Sequence, residues 1–149
     1  RSEIIDAMNE IETVCCAGRF MNNSNELKEK YHDDKVEFSK NFKFSICPEN
    51  SNSGGYVTEK IFQSIMSGCI PVYWGSSNLP EPNVINPEAV LFYDSENKEK
   101  FINRVRELME SESAYEDFLN IPPFKDNAPE TIWRYLSNLR HRLKKIIDK

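Results

Sequence analysis

The stretch from Phe42 to Gly75 constrains the fold more than any other part of the chain. Phe42–Cys47 alternates and is rich in aromatics, the pattern of a strand. Ser51–Lys60 is a polar loop carrying the pair Gly54-Gly55. Ile61–Ser67 has the spacing of a short helix, and Gly68 sits where a helix closes in the left-handed region. Ile70–Gly75 is an apolar run led by a β-branched residue, the mark of a buried strand. Strand, loop, helix and strand in that order form a unit of a parallel sheet. Its loop is dense in groups able to hold a charged ligand.

Local propensity and charge disagree where the loop meets the helix. Thr58 suits the N-cap, and Glu59 follows at the first helical position, where the helix dipole favours an anion. Lys60 comes next, where a cation is disfavoured by about 0.3–1 kcal/mol. A bound phosphate reverses that sign, because the helix N-terminus and the ammonium then face the same negative charge. The alternative is a Lys60 that points to solvent, and spacing alone leaves both open.

The rest of the chain alternates in kind. Ser2–Glu12 has Ile4, Ile5, Met8 and Ile11 at helical spacing, and Thr13–Cys16 reads as a short strand. A parallel unit opens with a strand, so one is expected ahead of Arg1. Ala17–Asn25 is a loop, Glu26–Tyr31 a helical turn or loop, and Lys35–Lys40 a short helix capped by Asp33 with Phe38 on the core. After Gly75, a proline-broken loop leads to a strand at Ala89–Tyr93. Asp94 or Ser95 then caps a helix reaching about Glu110. Asp94-Ser95-Glu96 is read as capping chemistry rather than as a metal motif. Ser113–Asn120 is a further short helix. Pro129 fits the first turn of a last helix running to about Ile147. Its stripe of Ile132, Leu136, Leu139, Leu143 and Ile146 is expected to be core. The other reading, given its basic end, is a membrane surface.

At 149 residues the chain is one domain's worth. Charged residues make up 29% and the net charge is −5, which argues against a nucleic-acid partner. No apolar run approaches the roughly 20 residues of a membrane span, and no signal peptide is recognisable. The cysteines, Cys15, Cys16, Cys47 and Cys69, form no Cys-x-x-Cys pair and are expected as buried free thiols, which suits a reducing compartment. Two histidines, His32 and His141, cannot assemble a metal cluster.

Cys47-Pro48-Glu49-Asn50-Ser51, Gly55-Tyr56-Val57-Thr58-Glu59-Lys60-Ile61 and Gly68-Cys69-Ile70-Pro71-Val72-Tyr73-Trp74-Gly75 together resemble the α-1,3/4-fucosyltransferases, glycosyltransferase family 10. The similarity is densest from Phe44 to Gly75, reaches weakly back to Arg1 and fades after about Tyr93. Pro48 stands where the family usually has Phe. The resemblance implies a Rossmann-like, doubly wound parallel sheet: the C-terminal, donor-binding half of a two-domain GT-B enzyme, spanning residues 1–149. It implies L-fucose transfer from GDP-fucose to an acceptor glycan hydroxyl, of α-1,3 type and with inversion. The acceptor oligosaccharide and the general base would belong mainly to an N-terminal domain outside this sequence, leaving the isolated chain inactive.

Ligands of doubly wound sheets bind at the carboxyl ends of the strands, so Asn50, Tyr56, Glu59 and Lys60 are expected at one mouth. In the resemblance, Arg1 and Lys60 stabilise the departing pyrophosphate, and Asn50 and Tyr56 hydrogen-bond sugar or phosphate. Glu59 holds sugar hydroxyls and offsets positive charge at the anomeric carbon. Arg19 is a second candidate phosphate contact. No Asp-x-Asp motif occurs, so nothing in the sequence calls for a metal or other cofactor. The expected location is cytoplasmic or peripheral to the inner membrane for a bacterial enzyme, the type favoured, and the Golgi lumen for a eukaryotic one. Two other readings remain: a non-catalytic nucleotide-sugar-binding module, and a glycan-binding surface on Tyr73 and Trp74, for which core packing is the stronger alternative.

Overall fold

Three parallel strands carry the molecule: β1 (Phe44–Ile46), β2 (Ile70–Tyr73) and β3 (Leu91–Phe92), in the spatial order β1-β2-β3. A computed structural model describes residues 1–148. Phe44 pairs with Ile70, Ile46 with Val72, and Val72 in turn with Leu91. The central strand β2 is buried at every position, as a strand covered on both faces must be.

Side chains alternate across that strand and seed two cores. Ile70 and Val72 face α1 (Ser2–Asn9), α5 (Lys98–Glu110) and α6 (Glu112–Leu119), packing with Ile4, Met8, Phe101, Val105, Leu108 and Phe118. Tyr73 faces the other way, with Ile61 of α4 (Glu59–Met66), Cys47, Ile85 and Val90. Helices therefore cover both faces, the doubly wound arrangement expected from the sequence. Trp74 is half-buried against the first core, so Tyr73 and Trp74 form no exposed glycan platform.

The expected β–α–β unit is present, with its strands trimmed to Phe44–Ile46 and Ile70–Tyr73. Gly68 closes α4 at φ 76° as expected. The connection from β2 to β3 contains no α-helix. It passes through short 3-10 turns at Ser76–Asn78 and Pro87–Ala89, and Ala89 belongs to the second turn rather than to the strand.

Thr13–Cys16 has no regular secondary structure and pairs with no strand among the described residues. Its backbone is satisfied by asparagines instead. Asn9 Oδ1 accepts from the Val14 N–H, Asn23 Oδ1 accepts from the Cys16 N–H, and Asn23 Nδ2 donates to the Val14 carbonyl. Local periodicity could not distinguish these acceptors from a sheet edge. The first helix ends at Asn9 rather than Glu12. The four cysteines are free; Cys47 and Cys69 are buried, whereas Cys15 and Cys16 are only half-buried. The stretch after the asparagines forms one helical turn, α2 (Glu26–Glu29). Asp34, not Asp33, caps α3 (Lys35–Ser39) by accepting from the Glu37 N–H. Asp94 does cap, but it caps the 3-10 turn Ser95–Asn97 that leads into α5.

The largest correction concerns α7 (Ala128–Ile147). Its stripe is not core: Ile132, Leu136, Leu139, Leu143 and Ile146 are all exposed, and only Ala128 and Thr131 are buried. No helix among the described residues is long and apolar enough to cross a membrane.

These burials predict opposite outcomes for two leucines. Leu108→Ala, at a site with no exposure, should cost about 2–5 kcal/mol. Leu139→Ala, 54% exposed, should stay within about 0.5 kcal/mol of the parent. Urea unfolding of the two variants checks both; a large loss at Leu139 would show that α7 is covered in solution.

Candidate functional site: a buried carboxylate beneath a helix N-terminus

The chain leaves β1 at Ile46 and runs three residues to Glu49, which is 1% exposed. An uncompensated carboxylate there would be costly. Three donors answer it. The Thr58 N–H donates to Oε1 at 2.8 Å, the Thr58 hydroxyl to Oε2 at 2.7 Å, and the Lys60 ammonium to Oε2 at 3.1 Å. Burial pushes this carboxyl's pKa up. The hydrogen bonds from Thr58 and Lys60, with the Lys60 charge, outweigh that and hold it below its ordinary value.

Glu49 is held from the sheet side as well. Its N–H donates to the Trp74 carbonyl at 2.8 Å, continuing the ladder beyond β2. Gly75 lies directly against it. A Cβ at Gly75 would stand 2.7 Å from the Glu49 Cβ, and the backbone there has φ 131°. The chain then turns through Ser76, Ser77 and Asn78, all with positive φ. This turn supports the loop after β1: the Gly55 N–H donates to Ser76 Oγ at 3.1 Å, and the Ser77 N–H to Asn52 Oδ1 at 2.6 Å.

Lys60 thus does not point freely to solvent, one of the two courses open from spacing. It is half-buried and paired with Glu49. Nor does Thr58 cap with its side chain; its backbone is extended, as at an N-cap, but its hydroxyl is turned to Glu49. No side chain among the described residues caps the first turn of α4. That turn remains able to receive an acceptor from a ligand.

Arg1 and Asn50 come together: an Arg1 Nη2 proton is donated to Asn50 Oδ1. The start of α1 therefore lies over the loop that follows β1. Tyr56 and Glu59 are exposed on the same loop-and-helix segment, Glu59 at the first position of α4. Arg19 lies exposed in the turn before Phe20, and no hydrogen bond ties it to this segment among the described residues. Beneath the loop, burial and then the Glu49 charge push the Tyr73 phenol upward, so it stays protonated. Its hydroxyl is buried without a partner among the described residues.

The arrangement offers a guanidinium, a half-buried ammonium and a helix N-terminus to an anion, beside an exposed carboxylate and a phenol. That is chemistry for a phosphorylated ligand with a polar appendage. Sequence reasoning placed Arg1, Asn50, Tyr56, Glu59 and Lys60 in this region but assigned nothing to Glu49. The available signal was a carboxylate three residues past β1, with a glycine just beyond the buried neighbouring strand β2.

The model for glycosyltransferase family 10 (fucosyltransferase), C-terminal part, matches residues 1–134. An alpha-(1,3)-fucosyltransferase of Helicobacter pylori is 36% identical over 121 residues, covering 80% of this chain and 24% of that enzyme. A putative fucosyltransferase-like protein of Arabidopsis thaliana is 37% identical over 86 residues, covering 58% of this chain and 17% of the relative. A crystal structure of an alpha1,3-fucosyltransferase with GDP-fucose superposes with a TM-score of 0.69 at 34% identity, over 82% of this chain and 35% of that one. The same enzyme type with GDP gives 0.67 at 32% identity, over 81% and 34%. The chain thus spans about a quarter of the H. pylori relative and about a third of each solved chain.

Gly75→Ala should destabilise the protein by more than ~2 kcal/mol, from the glycine-only backbone and the contact with Glu49 together. A denaturant melt within 0.5 kcal/mol of the parent, on the order of a neutral surface change, would contradict this geometry. Glu49 also predicts an acid limb. Its pKa is lowered on folding, so its stabilisation is complete above the ordinary carboxylate value. It is lost as pH falls through the depressed one. Stability of Glu49→Gln, followed by denaturant melts from pH 6 to pH 3 (about the range in which carboxylates titrate), should fall less steeply than that of the parent. Parallel curves would show that Glu49 does not carry the charge assigned to it.

Proposed function

Because the chain belongs to glycosyltransferase family 10, we propose that it supplies the donor-binding half of an enzyme that transfers L-fucose from GDP-fucose to an acceptor glycan hydroxyl. The observation that carries this is the convergence of Arg1, Asn50 and the Lys60 end of α4 on the loop after β1. Solved relatives crystallised with GDP and with GDP-fucose support the choice of ligand.

In transfer, the acceptor oxygen forms a bond to the anomeric carbon as the bond from that carbon to the diphosphate breaks. The acceptor proton goes to a base and GDP departs with the electron pair. Negative charge grows on the diphosphate, where Arg1, Lys60 and the α4 N–H groups stabilise it. Positive charge grows on the sugar ring, where Glu59 offsets it and holds hydroxyls. Asn50 and Tyr56 hydrogen-bond the sugar or phosphate. The base and most acceptor contacts belong to a separate acceptor domain of the parent enzyme, residues 1–149 forming a single donor domain. The exposed apolar stripe of α7, flanked by Arg140, Arg142, Lys144 and Lys145, favours peripheral contact of the parent with a membrane. It fits a cytoplasmic or inner-membrane bacterial enzyme better than a Golgi one.

The second reading, a non-catalytic nucleotide-sugar-binding module, shares every contact except the effect of Glu59 on turnover. Glu59→Gln in the full-length protein keeps size and hydrogen bonding and removes the charge. An enzyme should retain most GDP-fucose affinity and lose about 100–1,000-fold in kcat and kcat/KM together. Calorimetry with GDP against UDP, beside steady-state kinetics, reads both. Equal binding of the two nucleotides would oppose the donor assignment, and turnover within a few-fold of the parent would remove Glu59 from the chemistry.

A further inference from the structure

We propose that Glu49 is a positioning residue for the donor diphosphate, acting through Thr58 and Lys60. The inference rests on the reading that this mouth binds a nucleoside diphosphate sugar.

A threonine at an N-cap ordinarily turns its oxygen inward and accepts an N–H of the first turn. Thr58 does not. Its hydroxyl proton goes to Glu49 Oε2, and a lone pair of the same oxygen accepts from Lys60 Nζ at 3.2 Å. Glu49 thereby removes the side chain that would compete with a phosphate for the open end of α4. The carboxylate also fixes the ammonium. Lys60 Nζ spends two protons on Glu49 and Thr58, at 3.1 and 3.2 Å. The third remains for a ligand. Glu49 itself cannot drift, because Gly75 closes on its Cβ and its backbone N–H is tied to Trp74.

Simple electrostatics predicts the opposite of a helpful role. A carboxylate beside an anion site repels the anion and neutralises part of Lys60. If Glu49 only balances charge, its removal tightens diphosphate binding. If it positions, its removal weakens binding although the site has become more positive. Glu49→Gln separates these by sign. The glutamine oxygen still accepts the Thr58 N–H, but its amide turns donors toward two other donors, the Thr58 hydroxyl and the Lys60 ammonium. Lys60 is released, and the Thr58 hydroxyl is free to cap α4.

The test is calorimetric titration of the full-length protein with GDP at several salt concentrations, with a thermal melt of each variant. Glu49→Gln is expected to bind GDP about 10-fold more weakly, the scale of one hydrogen bond to a charged group, with a shallower salt dependence. In a Lys60→Ala background the same change should cost clearly less, only what the released Thr58 hydroxyl takes from the open end of α4, whereas a purely structural role would weaken both backgrounds alike. Unchanged or tighter binding by a folded Glu49→Gln overturns the proposal. Should that variant fail to melt cooperatively, Thr58→Val and Thr58→Ser carry the test. Losing the hydroxyl that joins Glu49 to Lys60 should weaken GDP several-fold, and keeping it should not; equal affinities overturn the proposal. A parent that binds GDP beside variants of equal or higher affinity refutes the positioning role alone. A parent that binds no GDP refutes the donor reading beneath it.

Discussion

A single buried carboxylate joins the parts on which the candidate site depends. Glu49 links the end of β1, the end of β2 and the start of α4. Placing a charge there is unfavourable in itself, and a half-exposed lysine would not offset the cost alone. The balance is struck by two neutral donors from one residue, Thr58, whose N–H and hydroxyl reach both carboxylate oxygens. Shared between three donors, the charge stays ionised and specifies one arrangement of the loop. Shifting any donor would leave the others facing an under-satisfied anion.

The surrounding backbone is shaped to the same end. Gly75 occupies a conformation and a space that no side chain tolerates. The left-handed residues Ser76, Ser77 and Asn78 follow at once. Such backbone costs on the order of 1–3 kcal/mol per residue and persists where neighbours over-determine it. Here the neighbours are Asn52 and Gly55 of the loop after β1. The two loops at the carboxyl end of the sheet thus hold each other, and Tyr56, Glu59 and Lys60 ride on that pair.

Much of this was legible in order of locality. β1, α4 and β2 follow from short-range pattern, and Gly68 from a positive φ that a helix end requires. Asn50, Tyr56, Glu59 and Lys60 were placed together by topology, since a parallel unit delivers its loops to one end; Arg1 joined them only through the family resemblance. Asp33 was mistaken for Asp34 because either residue offers the same side chain one position apart. Thr13–Cys16 read as a strand because a short apolar run looks alike in sequence whether its backbone partners are a strand or the side chains of Asn9 and Asn23.

What the sequence determined by itself was the parallel β–α–β unit, the turn at Gly68 and the set of polar residues delivered to its mouth. Those depend on propensities within a few residues of each other. Tertiary structure alone decided that Glu49 would be buried, that Thr58 would forgo its cap, and that Lys60 would pair across eleven positions of chain. It also decided that the stripe of α7 would lie open. Periodicity reports that one face of a helix is apolar and says nothing of what covers it. Whether a carboxylate is buried depends on donors and a glycine that only the closed fold brings against it.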